Sequence, residues 1–248
     1  MVFTHGTNAR IWMDGFAASV YLEDVNADGK IDKAETTTLS NSAKTYIPGL
    51  EDGTVKMKGF WDVNTITPAA TFEAFLNTHR RTTFPIVYYP EGGGTIGDPA
   101  FAFNGLLMNY QIDANVKDAV QGKIDLQSTN GLQHAKVLTV DGVRTATDAD
   151  GEGRIDGLAG SALGAVAVLS VSNVLGTVPT LDVKLQHSTD DSVWVDIPSG
   201  AFPQQTAATG VNGEYLSIPG TINRYVRAVW TIAGTTPSFT FNVAFRRL

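Results

Sequence analysis

Residues 33–62, KAETTTLSNSAKTYIPGLEDGTVKMKGFWD, constrain the fold of this chain more than any other stretch. Two β-prone flanks bracket a long Ser/Thr/Asn insert that closes on Ile47-Pro48-Gly49-Leu50. On the return strand, residues 54–61, Val55, Met57 and Trp61 point one way while Thr54, Lys56 and Lys58 point the other. That period of two marks a half-buried strand. The insert has too little apolar surface to pack by itself, so a partner is required to order it. The segment has the makings of an assembly hairpin and none of an active site.

Size and composition set the frame. A chain of 248 residues holds one large or two modest domains. Its 43% hydrophobic and 17% charged content is that of a folded protein, and 25 glycines fall mostly between apolar runs, as in a turn-rich β chain. Cysteine is absent, which excludes a disulfide framework or a thiolate metal site. Net charge of −7, with basic residues scattered apart from Arg80-Arg81 and Arg246-Arg247, argues against a nucleic-acid grip. An acidic surface repels DNA, a useful property in a conduit. MVFTHGTNAR has no apolar run of signal-peptide length, so synthesis in the cytoplasm without export is expected. Residues 157–181 carry no charge, yet Ser161, Ser170, Ser172, Asn173, Pro179 and several Gly make them a buried strand and turn rather than a membrane span.

Patterning divides the chain into a β-domain at 1–140, a Gly/Asp-rich linker at 141–162 and a small C-terminal β-sandwich at 163–248. The first region offers short strands at 11–16 and 18–25, the hairpin, one helix at 67–80 and a strand at 84–89. Thr67-Pro68 supplies the helix cap, and Phe72, Phe75, Leu76 and His79 form its apolar stripe. Met108, Tyr110 and Ile112 alternate with Asn109, Gln111 and Asp113, and Ile124 and Leu126 alternate with Lys123, Asp125 and Gln127. These make an antiparallel pair with one wet face, read either as outer surface or as the wall of a water-filled channel. Strands at 165–171, 181–187, 193–197, 214–218, 225–232 and 239–245 complete the sandwich.

The sharpest chemical motif is Asp24-x-Asn26-x-Asp28-Gly29-Lys30-x-Asp32-x-x-Glu35, which matches an EF-hand calcium loop. Neither flank looks like an EF-hand helix, so the motif is weighed against a strand. Residues 148–159 echo it but place Ala159 where the bidentate Glu belongs. Gly92-x-Gly94-x-x-Gly97 fits the dinucleotide fingerprint, but Asp98-Pro99 follows instead of a helix, which makes it a hairpin tip. No nucleophile elbow or zinc-protease motif is present, and His5, His79, His134 and His187 lie far apart in sequence. The chain reads as a non-enzyme without a cofactor, calcium being the one candidate ion.

The order of Glu35-Thr36-Thr37, Lys44-Thr45-Tyr46-Ile47-Pro48-Gly49 and Asp52-Gly53-Thr54 resembles the tail tube (major tail) proteins of long-tailed, non-contractile bacteriophages. The likeness continues through the helix after Pro68 and the strand pair to about Leu138. It resumes at residues 181–188, Val193-Trp194, 223–230 and 238–245. It implies a mainly β fold, a tail-tube-type barrel or sandwich with one flanking helix, followed by an outer C-terminal sandwich. It further implies subunits joining edge to edge into rings, commonly of six, that stack into a hollow virion tail tube assembled in the host cytoplasm. The implied partners are the chain itself, a tape-measure protein and a tail terminator. Genomic DNA passes without specific binding, and no membrane is involved. The inter-ring loop is carried over onto Glu35, Thr36, Thr37, Thr38, Leu39, Ser40, Asn41, Ser42, Ala43, Lys44, Thr45, Tyr46 and Ile47, and Asp113 and Asp125 are candidates to face the lumen. The rival reading is a carbohydrate-binding or adhesion sandwich, calcium-stabilised, with Trp194, Tyr215 and Trp230 as its aromatic platform.

Overall fold

The computed structural model describes residues 6–38, 43–61 and 71–248. The fold is mainly β and antiparallel, with one α-helix among the described residues. In chain order the strands are β1 (Arg10–Met13), β2 (Phe16–Ala17), β3 (Leu22–Glu35) and β4 (Tyr46–Phe60). The helix α1 (Phe72–Thr78) precedes β5 (Thr83–Tyr89), β6 (Pro99–Asp113), β7 (Gln121–Ser128), β8 (His134–Arg144) and β9 (Ile155–Asp156). Then come β10 (Ala165–Ser188), β11 (Val195–Ala201), β12 (Gln205–Thr206), β13 (Asn212–Ile218) and β14 (Tyr225–Arg247).

Two compact units emerge, and neither is continuous in sequence. The first comprises Met1–Val20, Phe84–Ala102 and Gln133–Leu248, and the second Tyr21–Thr83 and Phe103–Leu132. This division differs from the linear one expected at 141–162. Those residues lie inside the first unit, where β8 runs on to Arg144, Asp148 exchanges both backbone hydrogen bonds with Trp230 at 3.0 Å, and β9 pairs with Tyr225 and Val226. A flexible linker has no such ladder contacts.

The first unit is organised by two very long strands. β10 and β14 pair antiparallel from Ala165↔Arg247 to Ser188↔Tyr225, joining strands that the sequence separates at Gly176/Pro179 and Gly234/Pro237. Two bulges of opposite sense explain the continuity. Between Leu175↔Ser238 and Thr177↔Thr235 the extra residue lies on β14, and between Thr177↔Thr235 and Thr180↔Ala233 it lies on β10. Each proline occupies one of these bulges, where no ladder bond is demanded of it. Gly176 and Gly234 supply the left-handed turns, at φ 116° and 121°. Inward side chains from both sides of this corner, Leu169 and Val171 before it and Leu181 and Val183 after it, enter one core with Trp230, Phe239, Phe241 and Phe245. A straight strand of this length would span roughly 80 Å, so the pair folds over at the bulges, each strand serving both layers of a sandwich. Residues 165–171 are buried on both faces, because Val168 and Ala244 pack in a second core with Trp12, Val87, Tyr89 and Val137. That double burial accounts for their continuous apolar run.

The second unit holds the predicted hairpin. β3 pairs with β4, β4 with β7, and β7 with β6. Val55, Met57, Ile124 and Leu126 are buried on one face, as the alternation requires. The helix is shorter than its sequence pattern. Thr71 caps it by accepting from the Ala74 amide at 3.1 Å, and Phe72, Phe75 and Leu76 are buried as expected. The expected cap at Thr67-Pro68 lies outside the described residues. Residues 157–181 are not a helix but enter β10, and no helix among the described residues is long and apolar enough to cross a membrane.

Candidate assembly surfaces

Register across the second unit sorts its side chains into rows. Val25, Met57, Ile124 and Tyr110 stand opposite one another in turn, as do Ala27, Val55, Leu126 and Leu107. On the reverse face the rows are Asn26–Lys56–Asp125–Asn109 and Asp24–Lys58–Lys123–Gln111. The wet face is therefore a mixed lattice of acids, lysines and amides. Lys123 reaches Asp113 at 2.6 Å, and with Gln111 it holds that carboxyl below the usual carboxylate range. Asp125 accepts from Asn109 at 3.5 Å. The two lumen candidates thus lie in the β6–β7 pair, each already engaged by a neighbour.

The calcium motif meets a different fate. Asp24, Asn26, Asp28, Lys30, Asp32 and Glu35 are strung along β3, an extended strand of 14 residues. At about 3.3 Å per residue their ends stand roughly 36 Å apart, whereas an EF-hand loop must curl its oxygens round one ion. Among the described residues no three acidic or histidine side chains converge to hold a metal. Positions 1, 3, 5, 7 and 9 of the loop pattern are also one face of a strand, and the 3.2 Å Lys30–Asp32 ion pair reflects that shared face.

β7 pairs with β4 only over Thr54–Phe60. Beyond Gly53 the β3–β4 ribbon leaves its sheet as a two-stranded arm, continuing from Gly29↔Gly53 to Glu35↔Tyr46. The Asp52-Gly53 pair is strand at the root of this arm. A Cβ on Gly53 would lie 2.6 Å from Leu132 Cγ, so glycine lets Leu132 seal the root. Asp52 accepts from both the Gly53 amide at 2.8 Å and the Gln127 side chain. Near the tip Thr36 N donates to Thr45 O at 2.8 Å, Thr45 N donates to Thr37 Oγ1 at 3.0 Å, and Lys44 reaches Glu35 at 3.1 Å. Leu39, Ser40, Asn41 and Ser42 of the expected loop lie outside the described residues, while Thr38 and Ala43 are exposed and Tyr46 and Ile47 begin β4. Ile31, Tyr46, Ile47 and Leu50 present apolar surface to solvent, Leu50 at 83% exposure. Isolated two-stranded ribbons are marginal in water, and these four side chains make the arm sticky. The loop carried over from the resemblance includes Tyr46 and Ile47 but not Leu50 or Ile31, and the calcium-like spacing masks the alternation of Ile31.

Other candidates resolve differently. Trp230 is 4% exposed, donates to Ala146 O at 3.1 Å and packs edge-on to Phe241. Tyr215 packs against the second core of its unit, and Arg227 covers Trp194 at 4.4 Å, so no open aromatic platform forms from the three. The Gly92–Gly97 turn leads into β6 and not into a helix. His79 Nδ1 lies 2.8 Å from Phe75 O, and burial lowers the pKa of His187.

No protein-family model and no curated protein matches this chain. Among solved structures, a chain of the virion of a native gene transfer agent particle is similar at 9% identity and a TM-score of 0.43, covering 53% of this chain and 98% of its own. The tail of an empty gene transfer agent particle with C6 symmetry scores 0.41 at 10% identity, with coverage of 53% and 98%. The SPP1 Dit protein, described as a paradigm of the hub adsorption apparatus in phages infecting Gram-positive hosts, scores 0.36 at 14% identity, with coverage of 96% and 99%. At such scores the functional reading rests on this chain's own residues.

Proposed function

We propose that this chain is the structural subunit of a long, non-contractile phage-type tail tube. Copies join through their sheet edges into rings, six being the order implied by the sequence resemblance. The rings stack through the β3–β4 arm into a virion conduit for genomic DNA. A tape-measure protein occupies the lumen before DNA, a terminator closes the end, and assembly takes place in the host cytoplasm.

The observation that carries this reading is the arm itself, a ribbon leaving its sheet with Ile31, Tyr46, Ile47 and Leu50 exposed. An unpaired strand edge is a template for another chain, and a repeated heterologous contact closes a ring or extends a stack. The mixed polar lattice on the second unit supports a lumen role, since self-paired charges leave little attraction for phosphates. Negative-stain electron microscopy of the concentrated protein tests the proposal. Wild type is expected to form rings and tubes. Ile47→Asp with Leu50→Asp should keep the native circular dichroism spectrum yet remain unstacked. A wild-type chain that stays monomeric at millimolar concentration would end the reading.

A further inference from the structure

The sheet of the second unit carries unlike charge at its two ends. At one end β3 pairs on one side only, with β4. Its sequence, LEDVNADGKIDKAE, holds five acids and two lysines. Glu23, Asp32 and Glu35 have lysine partners, whereas Asp24 and Asp28 make no ion pair among the described residues. The other end is the later part of β6, a strand that also neighbours β5 and that pairs with β8 over Pro99, Ala100 and Phe101. A groove of about 540 Å³ runs beside it, lined by Leu107, Met108, Asn109 and Tyr110 together with Arg80 and Arg81. A break in the strand's alternation lets four consecutive residues of β6 border this groove. Met108 is the extra residue of a bulge between Leu107↔Leu126 and Asn109↔Asp125, and it is 61% exposed. The Arg80 guanidinium lies 5.2 Å over the Tyr110 ring, which stacks on Trp61. Arg81 makes no ion pair or hydrogen bond among the described residues and holds a left-handed backbone at φ 66°.

We propose that this groove receives the β3 edge of a second copy, with Arg80 and Arg81 meeting Asp24 and Asp28. The inference rests on the self-assembly reading and names the two surfaces that would join. Charge decides the mode of contact. Two β3 edges brought together would set acid against acid, which opposes a closed two-fold dimer. Acid against arginine favours the head-to-tail contact from which rings are built. Exposed pairs of this kind act mainly on encounter, so assembly should slow as salt rises.

Charge reversal in the full chain, followed by light scattering at low salt, tests this. R80E/R81E and D24K/D28K should each slow assembly more than tenfold while circular dichroism stays native, and the milder R80Q/R81Q should fall between. An equimolar mixture of the two reversed chains should assemble again, because each groove then meets an edge of opposite sign. Wild-type kinetics in R80E/R81E, or a mixture that fails although both chains are folded, would overturn the pairing. In that case tubes from the wild type, lost in the arm variant, would leave the broader reading standing. A wild type that never assembles would remove both.

Discussion

Replacing Arg144 with methionine should lower the melting temperature of the first unit by about 6–12 °C. The guanidinium is 7% exposed, and all five of its N–H groups are engaged. Nε and Nη2 form a fork on Glu152 at 2.9 and 2.6 Å. Nη1 donates to Gly142 O and Phe241 O at 2.7 and 2.8 Å, and Nη2 also donates to Val140 O at 2.5 Å. The cation lies 4.4 Å over Phe241 and 5.1 Å over Trp230. Methionine keeps the apolar stem but strands three carbonyls and a carboxylate. Breaking a fully buried ion pair costs about 3–5 kcal/mol. Glu152 is 35% exposed, so water recovers part of that loss and about 3 kcal/mol is expected. At about 2–4 °C per kcal/mol for a body of this size, the shift follows. Glu152→Gln keeps one acceptor and should cost about half as much. Both are best measured by Trp fluorescence in the Ile47→Asp, Leu50→Asp background, so that subunit contacts do not raise the melting point. A variant melting within about 1 °C of its parent would refute the reasoning. It would return residues 141–162 to the status of a linker.

Two further outcomes follow from the same unit. A chain ending at residue 162 should lack cooperative unfolding by circular dichroism, because Val168, Ala244 and the Asn242 that accepts from Tyr89 at 2.9 Å are supplied from beyond that point; a sharp melt would contradict the contact-defined units. Asp141→Asn should stabilise the protein at neutral pH. Burial raises the Asp141 pKa, so the folded state binds the proton more tightly than the unfolded one. The contribution of this one group falls as pH climbs from the unfolded carboxylate value through the raised one, and stays lower above it. Denaturant melts at pH 3 and pH 7 should show the variant gaining stability relative to the wild type between the two, and an unchanged difference would refute the assignment.

Much of the second unit was legible because its strands are half-buried. Val55 and Met57, and Ile124 and Leu126, alternate with polar residues that do face water. The first unit was less legible for the opposite reason. Residues 165–171 are buried on both faces and so carry no alternation, and the turn signals at 176–179 and 233–237 belong to bulges within continuous strands. Local signals also cannot tell that β8 finds its partner in β14, about a hundred residues on, which is what brings 141–162 into the fold.

The calcium motif shows how one spacing serves two geometries. Oxygen-bearing side chains at every second position can line a curled loop or one face of an extended strand, and only the backbone path separates them. Here the path is set by twelve cross-strand pairs running from Leu22↔Gly59 to Glu35↔Tyr46. Curling β3 round an ion would break those pairs and leave that edge of β4 without its ladder partner. Charged side chains on an unpaired edge have a physical purpose of their own, since they discourage indiscriminate strand addition. The same aspartates that imitate a metal loop therefore make β3 selective, repelling its own kind and admitting only a partner edge that brings positive charge.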